Sequence, residues 1–357
     1  MKLAFVFGTR PELLKLIPVI QLIEHRRTGT VILFDTQQQR ELTPGLLREY
    51  DIEYIQHIRF ESYRNSLASE LASQLGHLDD LVDGCSGVVV QGDTISTVAG
   101  ALLGFYHQLP VVHIEAGLRS HDISQPFPEE MNRRLVSNLA SLHLVPGENE
   151  KCELLSCGID ETVISIVGNP LADLCRAAKS SNTSSWDVLV TMHRRENRSS
   201  GIKELCLALD RLAADKPSCR FAVFQHSHPD VHGKFLRYLP THPNVDYVTA
   251  MNHQDFLRVM LGSKLVMTDS GGVQEEAAMF GLPTIVLREV FDRQDGIIAG
   301  TTQKVRVHRE VIAKAAVRVL KDSNQFKRIP VFPAESPSEL IVDQIFNYFS
   351  LKQESAA

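Results

Sequence analysis

Short runs of Val, Ile, Leu and Phe recur along the chain, each followed by a polar turn and a stretch in which apolar residues fall at helical spacing. Strands buried on both faces read as continuous apolar runs, so this rhythm predicts parallel strands joined by crossover helices. In the first half the expected strands are LAFVF (3–7), VILFD (31–35), GVVV (87–90), VVHIE (111–115), LHLV (142–145) and VISIV (163–167). In the second half they are DVLVTM (187–192), RFAVFQ (220–225), VDYVT (245–249), KLVMTD (264–269) and PTIVLR (283–288). Between the halves lies AKSSNTSSW (178–186), which has no apolar period and reads as a surface connection, so the domain boundary is expected between Gly168 and Trp186. The simplest architecture is α/β, with two Rossmann-like domains facing across a cleft. Its expected division is a domain over 1–168, a second over 169–335, and a C-terminal segment over 336–357.

Length agrees with two domains, since 357 residues exceed the size at which one core stops growing. A hydrophobic fraction of 43% with 22% charged residues excludes disordered and collagen-like chains. The net charge of −6 lacks the basic excess of a dedicated nucleic-acid binder. None of the six cysteines forms a C-x-x-C pair, so no zinc ribbon or thioredoxin-type site is suggested and reduced core residues are expected. No secretory signal is visible, and no apolar stretch has the length of a membrane span. A soluble cytoplasmic protein with no membrane partner and no nucleic acid partner is therefore expected.

In open parallel sheets ligands bind beyond the carboxyl ends of the strands, and the residues at those places here are strongly polar. Asp269-Ser270-Gly271-Gly272 ends a strand and opens a helix, where backbone N–H groups favour an anion such as a diphosphate; a plain turn with Ser270 as N-cap is the alternative. Gly8-Thr9-Arg10-Pro11-Glu12 follows the first strand, with Arg10 and Lys15 offering positive charge. Asp93, Glu115 and Glu129 are expected at strand ends or at a helix start, and converging carboxylates suit acid and base roles. Pairing of these carboxylates with Arg119 or Arg133 is the structural alternative. His226 and His193 are candidates for phosphate contact or proton donation, and the histidine spacings match no metal-site pattern.

Together these strings resemble the non-hydrolysing UDP-N-acetylglucosamine 2-epimerase family over nearly the whole chain. The motifs occur in order: GTRPE with Lys15, QGDT (91–94), HIEAGLRS (113–120), PFPEEMNRR (126–134), VGN (167–169), HRREN (193–197), DSGGVQEEA (269–277) and AGT (299–301). The resemblance implies a glycosyltransferase-B-like fold, a UDP-sugar bound in the cleft, a C-terminal helix near 336–351 packed on the first domain, and a homodimer. It implies roles in catalysis or in stabilising the leaving diphosphate for Arg10, Lys15, Asp93, Glu115, Glu129 and His226. It places His193, Arg194, Ser270, Gly271, Gly272, Glu276, Arg133 and Arg293 among the substrate contacts, Arg133 and Asn132 alternatively serving closure.

The C2 hydrogen of such a sugar has no adjacent carbonyl to acidify it. Transient oxidation by NAD would call for a dinucleotide fingerprint, and neither G-x-G-x-x-G nor a P-loop is present. Elimination of UDP to a 2-acetamidoglucal followed by re-addition is the remaining route. It calls for no cofactor and no metal, and it uses a base at C2, cations on the diphosphate and an acid for the opposite face. Two departures stand out. Val290-Phe291-Asp292-Arg293-Gln294-Asp295 keeps the arginine of the family's T-E-R-P-E string but not its proline or glutamates, which leaves the identity of the base or the sugar's substituents open, and Gln39 stands where a histidine is usual in a region tied to a second, activating substrate. Gln91 and Met192 also replace a usual histidine and glycine.

Overall fold

A computed structural model of the chain describes residues 1–26, 29–38, 43–52, 56–59, 66–178, 186–192, 194, 197, 200–224, 229–249, 251–288, 300–321 and 332–356. The chain divides into two compact units, Met1–Leu174 with Pro333–Ala357, and Cys175–Phe332. Unit 1 carries strands β1 (Lys2–Phe7), β2 (Thr30–Asp35), β3 (Gln56–Arg59), β4 (Gly87–Gln91), β5 (Val111–Ile114), β6 (Leu142–Val145) and β7 (Ile164–Ile166). Its helices are α1 (Arg10–Arg26), α2 (Thr43–Glu49), α3 (Leu67–Leu78), α4 (Ile95–Tyr106), α5 (Glu129–Leu139), α6 (Glu148–Ser156) and the start of α7 (Leu171–Ala177). Unit 2 carries β8 (Val188–Thr191), β9 (Phe221–Phe224), β10 (Val245–Val248), β11 (Leu265–Thr268), β12 (Thr284–Val286) and β13 (Thr302–Lys304). Its helices are α8 (Gly201–Asp215), α9 (Pro229–Tyr238), α10 (His253–Gly262), α11 (Gly271–Met279) and α12 (Arg309–Lys321); α13 (Pro337–Ala356) returns to unit 1.

Both sheets are parallel throughout, in the orders β3-β2-β1-β4-β5-β6-β7 and β10-β9-β8-β11-β12-β13. Counted from the first strand of each unit, this is the doubly wound 3-2-1-4-5-6 order. The two halves are thus Rossmann-like, as the alternation of apolar runs and helical stretches predicts. The order reverses between β1 and β4 in unit 1 and between β8 and β11 in unit 2. The crevice at such a reversal is where this fold binds ligands, because the connections leave the two strands toward opposite faces of the sheet.

Apolar runs become central strands because both faces are covered. Leu3, Ala4, Phe5, Val6 and Phe7 of β1 are all fully buried, as are Val88, Val89 and Val90 of β4. Helix α4 reaches that sheet closely at Gly100, where a Cβ would press into Val6 and Val90. Helix α13 packs on α1, with Ile341 and Ile345 buried and Arg26 paired to Asp343 at 2.6 Å. The edge strands β3 and β13, QHIR and TQK, lie outside the predicted set because neither contains an apolar run. The expected strand 111–115 ends at Ile114, since Glu115 turns to φ 63, and the expected strand 283–288 ends at Val286.

Candidate active site

The β1 end of unit 1 is built by packing around a buried carboxylate. Gly8 leaves β1 where a Cβ would collide with the hydroxyls of Thr36 and Ser96, which hydrogen-bond each other at 2.6 Å. At the start of α1 the Glu12 carboxylate then reaches back to Thr9, accepting from its N–H at 2.8 Å and from its hydroxyl at 2.7 Å. Its other oxygen accepts from Thr94 at 2.7 Å, tying the β1 and β4 ends together. Burial pushes the Glu12 carboxyl up to about 7, against the pull of the Thr94 and Thr9 hydroxyls and the N–H groups of Gly8 and Thr9. Sequence reasoning missed this residue, although the T-x-x-E spacing of a capping box is visible in Thr9-Arg10-Pro11-Glu12.

Two charged pairs stand on this crest. Lys15, one turn into α1, places its Nζ 2.6 Å from Glu115 Oε2, both side chains being buried. The same Glu115 oxygen accepts a short hydrogen bond from the Gln91 side-chain amide at the end of β4. Glu115 holds a left-handed backbone conformation, uncommon for a residue with a Cβ and of the kind that collects at functional sites. Gly117, two residues on, is required as glycine: its φ is 90 and a Cβ would strike the Glu150 backbone.

The second pair joins Asp93 to α5. Arg133 donates to Asp93 Oδ2 through Nε at 3.1 Å and through a shorter Nη2 contact, while Asn132 donates to the Asp93 carbonyl at 2.8 Å. Burial would lower the Arg133 pKa, but the Asp93, Glu130 and Glu115 carboxylates outweigh it and raise it. Fully buried Glu130 accepts from the Ser120 N–H at 2.9 Å and from Arg134 Nε at 2.8 Å. Burial alone would raise Glu130, yet the Ser120 N–H, Arg134 and Arg133 hold its carboxyl below the ordinary value. Arg119 donates to Leu118 and Ser137 instead. Glu129 opens α5 half-buried, and Arg10 opens α1 half-buried.

In unit 2 the strand ends are fastened by Asp269. Its buried carboxylate accepts from the Arg194 N–H at 3.0 Å and from Asn197 Nδ2 at 2.9 Å, and its carbonyl accepts from Arg194 Nε at 3.0 Å. Ser270 is the N-cap of α11 but makes no side-chain cap bond. Gly271 and Gly272 form the first helical positions, whose N–H groups have no acceptor within a helix. Gly272 has nothing within 4 Å of the place a Cβ would occupy and no left-handed φ, so neither packing nor backbone geometry calls for glycine. The space it leaves lies at the positive end of a helix, which suits an anion. Glu276, one turn later, is buried with its Oε1 2.7 Å from His253 Nε2.

The structure therefore brings Lys15, Glu115, Asp93 and Arg133 together at the adjacent ends of β4 and β5, and it seats Arg194, Ser270, Gly271 and Gly272 at the ends of β8 and β11. His193, His226 and Arg293, with the string 290–295 and Gln39, lie outside the described residues. Besides Glu12, the sequence reading left Gln91 without a role, drew nothing from Asn197 and did not single out His253. Their side chains matter through partners distant in sequence, such as the 90-residue separation of Asn197 from the Leu287 carbonyl.

The family model for UDP-N-acetylglucosamine 2-epimerase matches residues 21–345. The UDP-N-acetylglucosamine 2-epimerase of Neisseria meningitidis serogroup A is 31% identical over 348 residues, which span 92% of this chain and 94% of that protein. A crystal structure of UDP-GlcNAc 2-epimerase from Neisseria meningitidis bound to UDP-GlcNAc superposes with a TM-score of 0.86 at 31% identity, covering 97% of this chain and 100% of that one. A calicheamicin glycosyltransferase shares the fold alone, at 15% identity and a TM-score of 0.63 over 98% of each chain. The fold is common to transferases and epimerases, and the match in sequence is to the epimerases: the chain belongs to the UDP-N-acetylglucosamine 2-epimerase family.

Proposed function

We propose that the protein inverts C2 of a UDP-N-acetylhexosamine, converting UDP-GlcNAc to UDP-ManNAc or a modified analogue, by eliminating UDP and adding it back. The observation that carries this reading is the pairing of two carboxylates, Asp93 and Glu115, with two buried cations, Arg133 and Lys15, on neighbouring strand ends. A carboxylate takes the C2 proton, the C1–O bond breaks with its electrons passing to UDP, and a C1=C2 double bond forms. UDP oxygen then attacks C1 while a second acid delivers a proton to the other face of C2. Such proton transfers are effective only from groups held within hydrogen-bond reach, and the fixed crest supports that.

The cations have a second use in this scheme. Lys15 and Arg10 at the start of α1 stabilise the departing diphosphate, while Ser270, Gly271 and Gly272 at the start of α11 bind its oxygens, with Arg194 and Glu276 completing the nucleotide contacts. Glu129 and His226 complete the proton-transfer set, and His193, Arg133 and Arg293 the substrate contacts. Incubation with UDP-GlcNAc in deuterated water, followed by NMR, tests the proposal. Intact UDP-ManNAc with deuterium at C2 is expected. Free ManNAc would instead identify a hydrolysing epimerase, and UDP release that depends on an added acceptor would identify a transferase.

A further inference from the structure

His113 of the HIEAGLRS string sits fully buried in β5, two residues before Glu115. Its Nε2 lies 2.8 Å from the carbonyl oxygen of Gly92, the residue between Gln91 and Asp93. A carbonyl only accepts, so Nε2 carries the proton, and Nδ1 is left as a buried lone pair with no partner among the described residues. In the opposite sense the Gly92 N–H donates to the Ile114 carbonyl at 3.0 Å. Both polar backbone groups of Gly92 are thereby tied to β5. Gly92 itself takes a left-handed φ of 72, so its geometry is not set by a regular ladder and depends on these ties.

The residues on either side of Gly92 hold the acids. Gln91 donates to Glu115, and Asp93 is gripped by Arg133 and Asn132. His143 is the β6 register partner of His113 and is buried beside it, its own Nδ1 without a partner among the described residues. Burial drives the His113 imidazole down to about 3, with the neighbouring His143 and Arg119 pushing the same way. A ring that stays neutral donates one directional bond and adds no charge next to Glu115.

We propose that His113 is a positioning residue for the reaction, its Nε2–H clamping the Gly92 carbonyl so that Asp93 and Glu115 keep the spacing that inversion at C2 needs. This rests on the epimerase reading above. Misplacing reacting groups by about 1 Å costs on the order of a hundredfold, so His113→Leu should lower kcat for UDP-GlcNAc by roughly 30-fold or more. KM should stay within about threefold, because the bond lost runs to the Gly92 backbone and not to a group assigned to the nucleotide. His113→Gln, whose amide nitrogen reaches the same carbonyl, should return kcat to within about fivefold of the parent. His143→Leu alters an equally buried ring that makes no bond to Gly92, and should leave kcat within about threefold whatever it does to the melting temperature.

Wild-type kcat in His113→Leu, a loss confined to KM, equal losses in His113→Leu and His113→Gln, or an equal loss in His143→Leu would each overturn the proposal. Should His113→Leu fail to fold, His113→Asn replaces it, the shorter amide falling short of the carbonyl. A second readout does not depend on turnover: ¹⁵N shifts of His113, assigned by difference with His113→Gln, should report the Nε2–H tautomer from pH 5 to pH 8. A ring that titrates near its free value of about 6.5 overturns the clamp. A wild-type chain inert toward UDP-sugars overturns the functional reading and the catalytic half of this proposal, while the shifts still decide the clamp.

Discussion

The two units share one strand order and use it for different purposes. At and beside the β1–β4 reversal of unit 1 the ends of β4 and β5 carry carboxylates with cations pressed against them, Lys15 on Glu115 and Arg133 on Asp93. At the β8–β11 reversal of unit 2 the buried carboxylate of Asp269 fastens loops, and the element proposed to face the ligand is backbone: the first turn of α11 with its open Gly272. A doubly wound sheet supplies a crevice and a helix end whichever residues occupy it. Titratable groups there make a unit that can move protons, whereas bare N–H groups make one that can hold an anion without reacting.

The most damaging change to this contrast is Glu115→Gln. It removes a proposed proton-transfer group and the carboxylate charge beside buried Lys15, and the loss in kcat should be about 10²- to 10⁴-fold, with UDP affinity measured by calorimetry little changed. Equal losses in turnover and in UDP binding would erase the division of labour between the units. Next in size is Gly272→Asp. The added charge should weaken UDP binding by roughly a hundredfold through like-charge contact, yet thermal stability should hold or rise by about 0.3–1 kcal/mol, since a carboxylate favours a helix N-terminus. Unchanged UDP affinity would remove α11 from the nucleotide site.

A smaller effect separates the groups inside unit 1 by pH. His113 and His143 have folded values of about 3 and about 4, both lowered first by burial, so the unfolded chain binds more protons below the free value near 6.5. Their contribution is complete above that value and is lost as pH falls through the window. Glu12 runs the other way: raised from 4.5 to about 7, it contributes stability at low pH that is lost as pH rises to 7. Between about pH 5 and 6.5 two histidines oppose one glutamate, giving a net rise with pH on the order of 1.4 kcal/mol per unit from these three groups. Glu12→Gln should steepen that rise to about 2.7 kcal/mol per unit in urea melts, and an unaltered slope would mean that Glu12 is ionised in the folded chain.

The smallest test asks where the units are alike. Ser66 caps α3 in unit 1 through the Ser69 N–H, and Asn252 caps α10 in unit 2 through the Asp255 N–H. Replacing either by Ala should cost about 1 kcal/mol, read as a shift in the denaturant midpoint. Two separate transitions, each shifted by only one of the substitutions, would show that the units do not melt together.

Much of this could be read from the chain. Continuous apolar runs such as LAFVF and GVVV, alternating with helical stretches, fit central parallel strands, and the polar strings that follow them then lie at the carboxyl ends, where this fold binds ligands. That logic located Asp93, Glu115, Ser270 and Gly271 before any coordinates. It missed β3 and β13, because an edge strand held by backbone bonds can be polar and short, and it overran β5 by one residue, because nothing local announces a left-handed glutamate.

Local pattern therefore determined which residues would stand on the two crests, since burial and periodicity act over a few neighbouring positions. Which of them would meet was decided by tertiary structure alone. Lys15 reaches Glu115 across 100 residues and Arg133 reaches Asp93 across 40, and partner choice at such separations follows from strand order and register. Desolvation is likewise a property of the packed whole, which is why Glu12 reads as a helix cap in the sequence and becomes a carboxyl near neutrality only when the sheet closes over it.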